Sequence, residues 1–74
     1  MTFHVREVVW KGGKPESNTM LPMVHERWSD AVDHIRSRQR SYEKKGYDEK
    51  GDEWWAIVTA NSVMRWTIEE DDDA

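Results

Sequence analysis

The 74-residue chain predicts an α+β fold, a small antiparallel sheet of three or four strands with one helix packed on one face. Three observations carry that expectation. The N-terminal run is rich in Val, Phe and Trp with rough alternation, the middle of the chain repeats apolar residues at helical spacing, and two strand-like runs flank Asn61–Ser62 near the end.

Thr2–Trp10 reads as a strand. Phe3, Val5 and Val9 share one of its sides and Val8 and Trp10 the other, so the buried side stays open at this point. The cluster of Gly, Pro, Ser and Asn in KGGKPESN marks a loop. TMLPMVH is a candidate short strand, and Pro22, which has no amide donor, favours an edge position for it.

The helix rests on Trp28, Val32, Ile35 and Tyr42, with Ala31 beside Val32. Ser29 is its expected N-cap, and Asp30 and Asp33 suit the positive end of the helix dipole. Lys44 and Lys45 suit the negative end and Gly46 the position after it, which gives a helix over Asp30–Lys45. YDEKGDE then follows as a polar loop.

The closing run WWAIVTANSVMRWTIE predicts a hairpin of residues 54–60 and 63–69 around Asn61–Ser62. That turn pairs Thr59 with Met64, Ile57 with Trp66 and Trp55 with Ile68, a nearly uniform apolar face. Trp55 then belongs to the core. Trp54 stands on the opposite face beside Val58, Val63 and Arg65, where edge packing and a binding or dimer surface are both open readings.

Composition narrows the function. Chains this short rarely bury enough apolar surface for more than about 3–5 kcal/mol of stability without a staple, and with no cysteine there is neither a disulfide nor a thiolate metal site. Five tryptophans have to supply much of the core. No apolar run is long enough to span a membrane, and His4, Arg6 and Glu7 interrupt the stretch where a signal peptide would need apolar residues. A soluble, cytoplasmic protein is expected. The three histidines have no metal-binding spacing, Asp30 and His34 make half a site at best, and DEKGDE lacks the spacing of a calcium loop. No nucleophile motif and no phosphate-binding glycine loop occurs. The expectation is a protein that is not an enzyme and holds no cofactor or metal. Arg36, Arg38, Arg40, Lys44 and Lys45 beside tryptophans invite a nucleic-acid reading. The pI near 5.3 and the acids Asp30, Asp33 and Glu43 argue against direct nucleic-acid contact.

The charge is unevenly placed. Residues 51–74 hold Arg65 against Asp52, Glu53, Glu69, Glu70, Asp71, Asp72 and Asp73, a net −6, while the chain as a whole carries −4. An antiparallel hairpin brings Asp52 and Glu53 beside Glu69, Glu70 and Asp71–Asp73, with Asp48 and Glu49 near in sequence. These acids, with Trp54 and Arg65, are the candidate partner-binding residues. A compact domain over 1–69 with an acidic, frayed tail over 70–74 completes the layout, and a solvated, merely solubilising tail is the competing reading.

In length, lack of cysteine, strand–helix–hairpin layout and the acids Asp48, Glu49, Asp52, Glu53 and Glu69–Asp73, the chain resembles the small phage-encoded anti-CRISPR proteins. That resemblance is one of build, without a motif. It implies an inhibitor that offers carboxylates where phosphates would sit and blocks target-DNA recognition. Its partner would be a basic protein such as the DNA-recognition subunit of a CRISPR surveillance complex. The other class is a housekeeping interaction domain, monomeric or homodimeric through the open sheet face.

Overall fold

The structure, a computed structural model, describes residues 1–71. Among the described residues five strands form one antiparallel sheet and a single helix covers one of its faces. In chain order the elements are β1 (Thr2–Lys11), β2 (Lys14–His25), α1 (Trp28–Gln39), β3 (Lys45–Asp48), β4 (Glu53–Thr59) and β5 (Ser62–Asp71), and the sheet runs β2-β1-β5-β4-β3. The α+β class holds, but the sheet has five strands rather than three or four.

Two of the expected loops are tight hairpin turns inside longer strands. Lys11 pairs with Lys14, so the turn is Gly12–Gly13 alone, with φ of 60° and 79°. Two left-handed residues in succession match the twist of a hairpin, and glycine takes them without a Cβ penalty. β2 therefore starts within the expected loop. It lies at the sheet edge, where Pro15 and Pro22 withhold no ladder donor from an inner neighbour. The second turn joins β3 to β4, inside the stretch read as a polar loop. Asp48 pairs with Glu53, Lys50 N donates to Asp48 Oδ1 at 3.1 Å, and Asp52 takes a positive φ of 51° that Asp tolerates better than most residues.

The helix is shorter than its periodicity predicts and begins two residues earlier. Arg27, not Ser29, is the N-cap, and no side chain caps it by hydrogen bond. At the other end Gln39 is buried and donates Nε2 to the carbonyls of Gly46 (3.1 Å) and Trp55 (2.8 Å). The chain leaves the helix there to build β3, so Lys45 and Gly46 are strand residues and Gly46 is not a helix terminator.

Helix and sheet close over Val5, Leu21, Ala31, Val32, Ile35, Trp54, Ala56 and Trp66, with Phe3, Tyr42, Met64 and Ile68 packed against them. On β5 the predicted core face Met64, Trp66 and Ile68 is the observed one. On β4 it is reversed. Trp54 pairs with Trp66, Ala56 with Met64 and Ile57 with Val63, the turn is Ala60–Asn61, and a register irregularity falls between Ile57 and Thr59. Relative to the expected pairing, β4 is displaced along β5 by an odd number of residues, and an odd displacement exchanges the two faces of a strand. Ala60 and Asn61 have no positive φ, so the turn does not match the hairpin twist by itself, and the bulge absorbs the difference. Trp54 is consequently core, 5% exposed, and Trp55 stands half-buried on the outer face.

Candidate functional site

The C-terminal part of β5, the N-terminal part of β1 and the β3–β4 turn all point to the same end of the molecule, because Thr2 pairs with Asp71 and Asp48 with Glu53. Asp48, Glu49, Asp52, Glu53, Glu69, Glu70 and Asp71 therefore gather at one end, as the charge pattern predicts. Asp72 and Asp73 lie outside the described residues. Glu70 and Asp71 are ladder residues of β5, paired with Phe3 and Thr2, and the rest of the expected 70–74 tail lies outside the described residues.

These carboxylates are not equivalent. Glu69 accepts from Arg6 Nε at 2.8 Å and from Arg6 Nη2 at 3.2 Å, a two-point contact that holds its carboxyl below the usual carboxylate range. Asp71 meets His4, and Glu53 accepts from Arg65 Nη1 at 2.9 Å. On the outer sheet face Glu69 and Glu53 are neutralised by arginines of neighbouring strands, and Asp71 is engaged by the His4 imidazole. Asp52 accepts a 2.5 Å bond from the Tyr47 hydroxyl, which raises the phenol pKa because the bond favours the protonated form. Asp48 shapes the turn through the amide of Lys50. Glu49 and Glu70 are exposed and enter no ion pair with a described residue. The acidic end is thus a strand-fixed frame with Asp48, Glu49, Asp52 and Glu70 as its uncompensated charges, relieved locally by Lys50.

Two of the expected binding residues change role. Trp54 is withdrawn into the core, its ring 4.7 Å from Tyr47 and 6.1 Å from Trp28. Arg65 is on the outer face as predicted but is engaged by Glu53. The aromatic neighbour of Arg65 is Trp55, its Cα partner across the β4–β5 ladder, and Trp10 lies near on β1 opposite Val63. A groove lined by Trp10, Glu53, Val63 and Arg65 runs on this face, and another holds Trp55, Ile57, Val63 and Arg65. The alternation of WWAI could not have separated the two rings, since Trp-Ala and Trp-Ile each make an acceptable inward pair.

Two polar contacts on the helix side have no precedent in the sequence pattern. Glu7, on the buried side of β1, accepts from Trp66 Nε1 at 2.8 Å and from Arg38 Nε at 2.7 Å. His25 Nε2 and His34 Nδ1 are 3.0 Å apart, joining the end of β2 to α1. Burial, the neighbouring His25 and Arg38 together lower the His34 pKa. His34, the half-site partner of Asp30 in the sequence, is engaged by His25 instead. Among the described residues no group of three or more His, Cys, Asp or Glu side chains is placed to hold a metal, and no helix is long and apolar enough to cross a membrane. Comparison of the chain with protein-family models, with curated proteins and with solved structures finds no match.

Proposed function

We propose that the protein is a non-enzymatic binding protein whose acidic end docks on a basic, nucleic-acid-binding partner in the cytoplasm and competes with that partner's ligand. The observation that carries this reading is the β3–β4 turn. It presents Asp48, Glu49 and Asp52 in a geometry fixed by the strands on either side, with Glu70 of β5 at the same end. A groove built to neutralise duplex phosphates, about one charge per ~1.7 Å of axis, offers clustered Lys and Arg that fixed carboxylates exploit equally. By its build, the DNA-recognition subunit of a CRISPR surveillance complex is the partner to try first, with this protein as an anti-CRISPR.

The test is target-DNA binding by such a purified complex with and without the protein. Inhibition should fall steeply with added salt, since exposed charges are screened within about 8–10 Å at physiological ionic strength. Glu49→Lys with Glu70→Lys should abolish inhibition without changing the melting temperature, because neither side chain holds an ion pair with a described residue. Full DNA binding in the presence of a large excess of protein, with no other basic partner retained, overturns the proposal.

A second reading is supported by the outer face itself, where Val8, Trp10, Trp55 and Val63 form a half-buried apolar stripe that the helix does not cover. In this reading the chain is an interaction domain that dimerises through that face.

A further inference from the structure

Trp28, Val32 and Arg36 of α1 and its C-cap Arg40, still in helical conformation, follow one another at four-residue steps, so they share a stripe. That stripe borders β3, and between the two lies a cavity of about 450 Å³ lined by Arg36, Arg40, Lys45, Tyr47 and Trp54. The two halves differ in chemistry. Tyr47 (45% exposed) lies against the buried Trp54 on one side, while Arg36, Arg40 and Lys45 line the other.

The cations are the informative part. Arg36 and Arg40 are like charges at i,i+4, an arrangement that disfavours a helix, and Lys45 adds a third positive group across the cavity. None of the three makes an ion pair with a described residue, as holds also for the scattered Lys11, Lys14, Arg27, Lys44 and Lys50, but these three line one cavity. A chain of net charge −4 has carboxylates to spare, yet leaves this cluster uncompensated. The cavity is also held in shape: buried Gln39 ties α1 to β3 and β4 through the carbonyls of Gly46 and Trp55, and Asp52 fixes the Tyr47 ring through its hydroxyl. An anion would relieve the repulsion, and the exposed aromatic face of Tyr47 beside it would stack a planar ring.

We infer that the α1–β3 groove binds a free mononucleotide, its phosphate on Arg36, Arg40 and Lys45 and its base against Tyr47. The volume suits a small ligand. A polymer is disfavoured because Asp48, Glu49 and Asp52 adjoin Tyr47 and would repel its further phosphates. This site adjoins the acidic end at Tyr47 but holds its ligand with other residues, and it stands or falls independently of the function proposed above.

The experiment is calorimetric titration, paired with tryptophan fluorescence, of the protein with AMP, adenosine, inorganic phosphate and a short oligo-dT. AMP should bind saturably and change the fluorescence, with adenosine and phosphate each weaker by at least about tenfold. Arg40→Glu with Lys45→Glu should abolish AMP binding at an unchanged melting temperature. Should that pair melt lower, Arg36→Gln with Lys45→Gln removes charge without adding acid and should weaken AMP by a similar factor. Tyr47→Ala should weaken AMP and leave the weak phosphate binding as it was. Absence of saturable AMP binding, binding undiminished in both charge variants, phosphate binding as tight as AMP, or oligo-dT binding tighter than AMP would each overturn the inference.

Discussion

His34 sits where β2, β1 and the helix meet, with His25 at 3.0 Å and Arg38 and Glu7 close by. A hydrogen bond between two imidazoles needs one nitrogen with a proton and one without, so a doubly charged pair loses the bond and gains repulsion. The folded-state pKa of His34 is lowered from 6.5. The unfolded chain therefore takes up the proton first as pH falls, and the contribution of this group is present above 6.5 and lost as pH drops below that value. The melting temperature should decrease as pH falls below about 6.5, and His34→Gln, whose amide can donate to His25, should flatten that decrease. A profile unchanged by the substitution would mean that His34 does not carry the pH dependence. Glu69 acts in a different window. Its pKa is lowered from 4.5 by Arg6, so its contribution is lost only below that value. The two tryptophans of β4 provide the other residue-scale measurement. Trp54→Ala empties a buried ring site facing Trp66 and should cost about 3–5 kcal/mol in denaturant unfolding. Trp55→Ala removes a half-exposed ring and should cost clearly less. The reverse order would return β4 to the opposite register.

At the scale of elements, β3 is the strand most dependent on its neighbours. It has four residues, pairs only with β4, and is tethered by Gln39. Gly46 is needed there for space: a Cβ at this position would lie 2.5 Å from Trp55 Cζ2, because the indole crosses the outer face of β3. The far end of a half-exposed indole can swing away, so Gly46→Ala should destabilise by about 1–3 kcal/mol rather than unfold the domain. Combining it with Trp55→Ala should recover part of that loss, a coupling that a double-mutant cycle measures directly. Additive costs would show that the ring does not rest on Gly46. The Gly12–Gly13 turn depends on conformation instead, as a methyl group added to either residue would meet nothing within 4 Å. Substitution there strains the backbone without touching a neighbour.

The whole molecule is elongated, 41 × 24 × 21 Å, which the ten-residue strands at about 3.3 Å per residue account for. Its two ends differ in charge. Asp48, Glu49, Asp52 and Glu70 mark one end, while Lys11, Lys14 and Lys44 lie at the other, where Gly12 N meets the Asn61 carbonyl at 3.0 Å and Ile57 N meets that of Lys44 at 2.9 Å. The open sheet face lies between them. If that face pairs two copies, sedimentation should show a dimer that Trp55→Glu converts to a folded monomer, and a wild-type monomer at high concentration would leave the face free for another partner or for solvent.

The sequence by itself determined the class of fold, the β1 and β5 strands, the presence of the helix and the core face Met64–Trp66–Ile68. These follow from local periodicity, which each segment carries alone. It also determined that the acids converge at one end, since antiparallel pairing of consecutive strands allows no other placement. Only the tertiary structure decided which tryptophan of β4 is buried. That choice rests on one bulge and the placement of one turn, and both faces of WWAI are apolar enough to be core. The helix end was likewise settled elsewhere: Tyr42 continues the apolar spacing, but Gln39 finds its partners on β3 and β4 and the chain turns there. The pairing of Arg6, His4 and Arg65 with Glu69, Asp71 and Glu53 joins residues far apart in the chain. No local pattern encodes which charges a sheet will place side by side, and that placement is what distinguishes the compensated acids from the exposed ones.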